Sequence, residues 1–67
     1  MFNLNKPRLG ALSPAKGDVF KHEDIVVRID SREIAGFYVC TVLESESFHY
    51  YIGQKVDLHK DTLVEIV

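Results

Sequence analysis

Residues 37–52 read FYVCTVLESESFHYYI and hold two apolar stretches on either side of a short polar segment. Phe37–Leu43 and Phe48–Ile52 are both rich in β-branched and aromatic residues, which favours strand structure. Glu44–Ser47 between them is typical of a turn. The sequence therefore predicts an antiparallel hairpin in which Phe48–Ile52 returns alongside Phe37–Leu43.

The register of this hairpin decides which side chains face the interior. The favoured register places Leu43 opposite Phe48 and Val39 opposite Ile52, because it collects the larger apolar side chains on one face. The predicted core face consists of Phe37, Val39, Thr41, Leu43, Phe48, Tyr50 and Ile52. The predicted outer face consists of Tyr38, Cys40, Val42, Glu44, Ser47, His49 and Tyr51. A turn with one residue more or fewer would mix the two faces.

Further strand signals flank the hairpin on both sides. Asp24–Asp30 alternates with a period of two, which places Ile25, Val27 and Ile29 on one face. The remaining predicted strands and turns are Asp18–Lys21, Val56–Leu58, a single helical turn at His59–Thr62, and Leu63–Val67. Five or six short strands with close turns predict a small, nearly closed antiparallel barrel over residues 17–67.

The order of these segments resembles the SH3-like barrel superfold. The resemblance rests on Gly17-Asp18 before the first strand, the aromatic central hairpin, Val56-Asp57-Leu58, and the one-turn break before the closing strand. It implies an all-β fold, a small SH3-like barrel of five or six short antiparallel strands. It carries over no site residues, because the chain has no tryptophan and lacks both the acidic loop of peptide-binding SH3 domains and the basic loop of RNA-binding KOW modules. Such barrels are also similar to many short accessory proteins of bacteria and their viruses.

Residues 1–16 are predicted to form an irregular basic arm, since Pro7 and Pro14 interrupt any helical period. Residues 1–17 carry three basic and no acidic side chains, whereas the other residues carry five basic and ten acidic ones. The arm therefore has a charge of +3 and the body a charge of −5, which together give the net charge of −2. An arm docked on the acidic body and a free arm both fit this distribution.

The predicted outer face of the hairpin is too apolar for an ordinary solvated surface. Exposed apolar patches of this kind mark partner sites. We therefore predict a non-enzymatic module that binds another protein, either a larger partner or a second copy of itself. The predicted contacts are Tyr38, Val42, His49 and Tyr51. The competing interpretation is that the arm covers this patch through Phe2, Leu4, Leu9 or Leu12.

Nucleic acid is the alternative partner. Small barrels bind single strands by stacking bases on aromatic side chains and by tracking phosphates with cations. The predicted cations for this role are Lys6, Arg8 and Lys16, with Lys55 and Lys60 as further candidates. The acidic excess of the body argues against extensive phosphate contact.

No motif indicates a catalytic site, a cofactor or a metal. Cys40 and the three histidines lack the ligand spacing of a zinc site. Cys40 and His49 share the predicted outer face, but diagonal neighbours lie about 7–8 Å apart at Cα, too far for nucleophile activation. The sequence also shows no signal peptide and no apolar segment of about 20 residues that could span a bilayer. We expect a cytoplasmic protein without enzymatic activity.

Overall fold

The computed structural model describes residues 6–67, and the regular secondary structure of this part of the chain is almost entirely antiparallel β-strand. Its strands are β1 (Val19–His22), β2 (Ile25–Ile29), β3 (Phe37–Ser45), β4 (Lys55–His59) and β5 (Glu65–Ile66). They form one sheet in the order β4-β3-β2-β1-β5. A short 3₁₀ helix, Leu9–Leu12, precedes the sheet. The predicted all-β class with five short antiparallel strands is confirmed.

The core lies on one face of the sheet. β2 alternates as the sequence predicts, so Ile25, Val27 and Ile29 are buried while the residues between them are half-buried. The other buried apolar side chains of the core are Leu9, Phe20, Tyr38, Cys40, Val42, Leu58 and Val64. Four strands, the residue before β5 and the N-terminal segment thus all contribute to one hydrophobic cluster.

The predicted pairing of the central hairpin is wrong. β3 pairs with β2 on one side and with β4 on the other, and Tyr38 lies opposite Leu58. Phe48–Ile52 is not a strand but part of a loop, residues 46–54, that joins β3 to β4. The closing strand is also shorter than predicted, since β5 spans only Glu65–Ile66.

The new pairing reverses the two faces of β3. Tyr38, Cys40 and Val42 are buried in the core, although the sequence placed them on the outer face. Phe37 is exposed and Val39 is half-buried, although the sequence placed both in the core. The physical reason is that β3 is apolar on both faces, so its alternation separates the faces without indicating which one is inside.

A β-bulge near the end of β3 changes the direction of its last side chains. Val27 pairs with Val42, but Val26 pairs with Glu44, which leaves Leu43 without a partner in β2. An extra residue of this kind reverses the alternation of side chains beyond it. Glu44 therefore lies on the outer face of the sheet beside Val26.

The described part of the N-terminal arm is docked on the body. The backbone N–H of Leu9 donates to the carbonyl oxygen of Thr62 at 2.8 Å, and that of Gly10 donates to Lys60 at 2.7 Å. A Cβ atom at Gly10 would lie 2.9 Å from the Cβ of Lys60, so this approach requires glycine. Leu9 is completely buried and Leu12 packs against the core. The division between an arm of residues 1–16 and a barrel of residues 17–67 stays a prediction.

A charged network joins β3 and β4 to the end of β2 on the outer side of the sheet. The carboxylate of Asp30 accepts hydrogen bonds from the hydroxyl of Thr41, from Lys55 Nζ at 2.9 Å and from Arg28 Nε at 2.9 Å. The Thr41 hydroxyl, followed by Lys55 and Arg28, holds the pKa of Asp30 well below its ordinary value of 3.8. The network therefore stabilises the folded state while Asp30 is ionised.

Replacing Asp30 by asparagine should lower the free energy of unfolding by about 1–2 kcal/mol at neutral pH, because charge-assisted hydrogen bonds are lost. Since the folded pKa is depressed, the wild-type contribution is present above the unfolded carboxyl pKa of about 4 and is lost as the pH falls below it. Urea titrations at neutral and acidic pH test this, with Asp57→Asn as the control on the exposed side of β4. If Asp30→Asn lowered the free energy of unfolding equally at neutral and acidic pH, the ionised carboxylate would not be the source of the stabilisation.

Candidate binding surface

The loop of residues 46–54, which we call the aromatic loop, presents a group of exposed apolar side chains. Phe48 is fully exposed, and Tyr51 and Ile52 are each 69% exposed. Tyr50 is exposed to a lesser degree, at 39%. Large apolar side chains clustered on one loop in this way form a patch of the kind that marks interaction sites.

Side-chain hydrogen bonds fix the conformation of the aromatic loop from within. The Ser45 hydroxyl donates to the carbonyl oxygen of Tyr50 at 2.8 Å and accepts from the N–H of Ser47 at 3.1 Å. The side-chain oxygen of Gln54 accepts from the N–H of Tyr51 at 3.0 Å. These polar side chains replace the ladder bonds that a strand would have made, so the loop holds a defined shape without pairing.

Backbone contacts also attach the aromatic loop to the sheet at both ends. At its start, the N–H of Glu46 donates to the carbonyl oxygen of Asp24 in the turn between β1 and β2, at 2.9 Å. At its end, the N–H of Gly53 donates to the carbonyl oxygen of Val42 at 2.7 Å. Gly53 has a φ of 91°, which glycine adopts without steric cost. The loop is therefore held in place before any partner binds.

The structure leaves two of the four predicted contact residues at the surface. His49 and Tyr51 are exposed on the aromatic loop. Tyr38 and Val42 are buried in the core, at 5% and 0% exposure, so the prediction that all four share one exposed face is wrong. The sequence analysis also missed Phe48 and Ile52 as exposed residues, because it assigned them to a core-facing strand.

A signal for the loop was nevertheless present in the sequence. Ser45 and Ser47 before the aromatic residues, and Gly53 and Gln54 after them, are residue types that form hydrogen-bonded turns. The structure uses each of them to shape or attach the loop. Polar turn formers on both sides of a short apolar stretch can thus indicate a displayed loop as well as a strand.

The sequence also allowed the arm to cover the apolar patch through Phe2, Leu4, Leu9 or Leu12. Leu9 belongs to the same buried cluster as Tyr38 and Val42, and Leu12 packs against that cluster. Phe2 and Leu4 lie outside the described residues. The described arm thus helps to enclose the core, whereas Phe48 and Tyr51 remain exposed.

Acidic side chains lie beside the start of the aromatic loop. Glu23 and Asp24 form the turn that accepts the loop's first backbone bond, while Glu44 and Glu46 lie at the end of β3 and the start of the loop. All four of these residues are exposed. The apolar patch therefore has a negatively charged border on the side of β3 and the β1–β2 turn.

At least one of the cations predicted for nucleic-acid binding is already neutralised. Lys6 forms an ion pair with Glu65 at 2.9 Å, which lowers the pKa of that carboxyl. The backbone of Arg8 pairs with that of Leu63 in a single antiparallel β-bridge, and Lys16 lies in the turn before β1. A phosphate backbone would therefore meet Lys6 already paired with a carboxylate.

The Cys40 thiol is enclosed in the core and donates weakly to the carbonyl oxygen of Tyr38 at 3.5 Å. Burial, with smaller effects of Asp30 and Asp57, raises its pKa to about 11. His49 lies on the exposed loop instead of beside the thiol. The Cys40–His49 pair considered from the sequence is therefore not assembled, and the thiol is protonated at neutral pH.

Comparison with known protein families, with curated proteins and with solved structures finds no match for this chain. Across residues 6–67, no cluster of three or more His, Cys, Asp or Glu side chains is arranged to hold a metal ion. Within the same range, no helix combines the length and the apolar character needed to cross a bilayer. The interpretation of the site therefore rests on the geometry of the aromatic loop.

Proposed function

We propose that this chain is an SH3-like small barrel that acts as a non-enzymatic protein-binding module, with the aromatic loop as its contact surface. The observation that carries the proposal is the combination of a backbone fixed by Ser45 and Gln54 with the exposed side chains of Phe48 and Tyr51. The sheet order, with β1 between β2 and β5, supports the barrel assignment. The proposal keeps the sequence-based expectation of a cytoplasmic accessory protein.

Aromatic anchors on a rigid loop are well suited to binding another protein. Burying a side chain of this size is worth about 1.5–3 kcal/mol, and aromatic residues are enriched among those that dominate interface energies. Because the loop backbone is already ordered, little conformational entropy is lost when it binds. Phe48 and Tyr51 are therefore the residues expected to contribute most of the affinity.

Nucleic acid is the less favoured partner for this surface. Exposed aromatic rings can stack on bases, but stacking is normally combined with cations that neutralise the phosphates. The charged side chains beside the start of the loop are instead carboxylates, among them Asp24, Glu44 and Glu46. Their charge repels a phosphate backbone.

The test is capture of partners from cells of the source organism, followed by titration of the captured protein against purified variants. Phe48→Ser combined with Tyr51→Ser should weaken the complex at least about 30-fold, because two anchors are lost. Ile34→Ser is the matched control, since it removes an exposed apolar side chain at the opposite end of β3. A complex that survives the double variant, or one that depends equally on Ile34, would contradict the proposal. Capture of nucleic acid with steep salt dependence would favour the alternative.

A further inference from the structure

A shallow groove of about 240 Å³ lies beside the aromatic loop on the outer face of the sheet. Its acidic lining residues are Asp24, Glu44, Glu46 and Glu65. Val26 and the C-terminal residues Ile66 and Val67 provide apolar surface, and Lys21 is the basic residue of the lining. The groove thus combines apolar surface with an excess of carboxylates.

The groove adjoins the start of the aromatic loop. Ser45 lines the groove, and its hydroxyl holds the carbonyl oxygen of Tyr50 in the loop at 2.8 Å. Glu46, the first residue of the loop, also lines the groove, and its N–H donates to the carbonyl oxygen of Asp24, another lining residue, at 2.9 Å. A segment bound to the loop would therefore extend naturally into the groove.

One carboxylate of the groove lining is already paired with an ammonium group. The ammonium group of Lys6 lies 2.9 Å from the carboxylate of Glu65, one of the groove residues. Asp24, Glu44 and Glu46 form no ion pair with any group in residues 6–67. Three carboxylates next to apolar surface match lysine or arginine, whose aliphatic stems cover apolar atoms while the charged end reaches a carboxylate.

We infer that the protein bound by the aromatic loop presents a basic segment, whose apolar side chains contact Phe48 and Tyr51 and whose cations enter the adjoining acidic groove. The inference rests on the proposed function and specifies its partner. A second copy of this chain is a poor occupant, since a two-fold interface centred on this surface would place two acidic patches against each other. The partner is therefore a different, basic protein.

Fluorescence anisotropy with short labelled peptides tests this inference. The probe is a peptide of alternating leucine and lysine, and the comparison peptides carry serine or glutamate in place of lysine. The lysine peptide should bind, more weakly at high salt, and the glutamate peptide should not. Glu44→Gln with Glu46→Gln should weaken binding of the lysine peptide by about tenfold.

The control double variant is Glu33→Gln with Asp61→Asn, which makes the same change in net charge at exposed sites outside the groove. It should leave binding within about twofold of wild type. Equal weakening by both double variants, equal binding of the lysine and serine peptides, or no binding of the lysine peptide would overturn the inference. So would tighter binding of a single-stranded oligonucleotide.

Two results separate a wrong class of partner from a wrong contact surface. If the serine and lysine peptides bind equally, and Phe48→Ser with Tyr51→Ser abolishes both, the loop is an interaction site but the basic partner is wrong. If the captured protein binds the same double variant as tightly as it binds the wild type, the proposed function itself is wrong.

Discussion

Tyr38→Ala is expected to lower the free energy of unfolding by about 3–4 kcal/mol, whereas Tyr51→Ala should change it by less than about 0.5 kcal/mol. Tyr38 is 5% exposed and lies in the core opposite Leu58 on β4. Its burial, with the nearby charge of Glu33, also raises the pKa of its hydroxyl. Truncation at Tyr38 leaves a cavity, while Tyr51 already faces solvent.

Urea unfolding followed by circular dichroism measures both variants. The two tyrosines are a sharp comparison because the residue types are identical and the sequence pattern assigned them to the same outer face. If Tyr38→Ala does not fold, Tyr38→Leu, which leaves a smaller cavity, supplies the measurement at an expected cost of about 1–2 kcal/mol. Equal effects at Tyr38 and Tyr51 would contradict the observed faces of β3.

Leu9→Ala is expected to destabilise the protein by about 3 kcal/mol, although it lies before the first strand. Leu9 has no exposed surface, and its backbone N–H is bonded to Thr62. Domains of this size bury a smaller fraction of their surface than larger ones, so their stability margin is narrow. Loss of one fully buried leucine should therefore remove a large part of the total stability.

Leu12→Ala is the matched control for Leu9, because Leu12 is only partly buried against the same core. We expect it to cost about 1 kcal/mol, in proportion to the smaller area that it removes from water. Thermal and urea unfolding of both variants provide the comparison. If Leu9→Ala were as stable as wild type, the arm would not be part of the core.

Much of the fold could be predicted from the sequence because strand periodicity is a local property. Ile25, Val27 and Ile29 alternate along the chain with a less apolar set of side chains. The structure buries all three. The strands predicted around Asp18–Lys21 and Val56–Leu58 are also present. Where one face of a strand is clearly more apolar, the pattern alone indicates which side is buried.

The pairing of β3 could not be predicted in the same way. Its two faces are both apolar, and Phe48–Ile52 has the composition of a strand without being one. The extra residue at Leu43 also shifts the register in a manner that no local pattern indicates. Strand pairing is a non-local choice, and here the partner is the later segment Lys55–His59.

The candidate site was anticipated only in part for the same reason. His49 and Tyr51 are exposed as predicted, but they lie on a loop and not on a sheet face. Predicting that Phe48 is exposed would have required knowing that Ser45 and Gln54 hold this segment in a loop that does not pair with a strand. Local composition suggested an apolar contact surface, while its location depended on the tertiary structure.

The proposed binding surface exists only if the aromatic loop is ordered before any partner binds. Heteronuclear ¹⁵N NOE measurements on the free protein test it directly, residue by residue, on the timescale of fast backbone motion. We expect the amides of Phe48, Tyr51 and Ile52 to give values as high as those of β2 and β3. Values far below those of the strands would show that the aromatic side chains are exposed only because the segment is mobile, and would contradict a preformed binding surface.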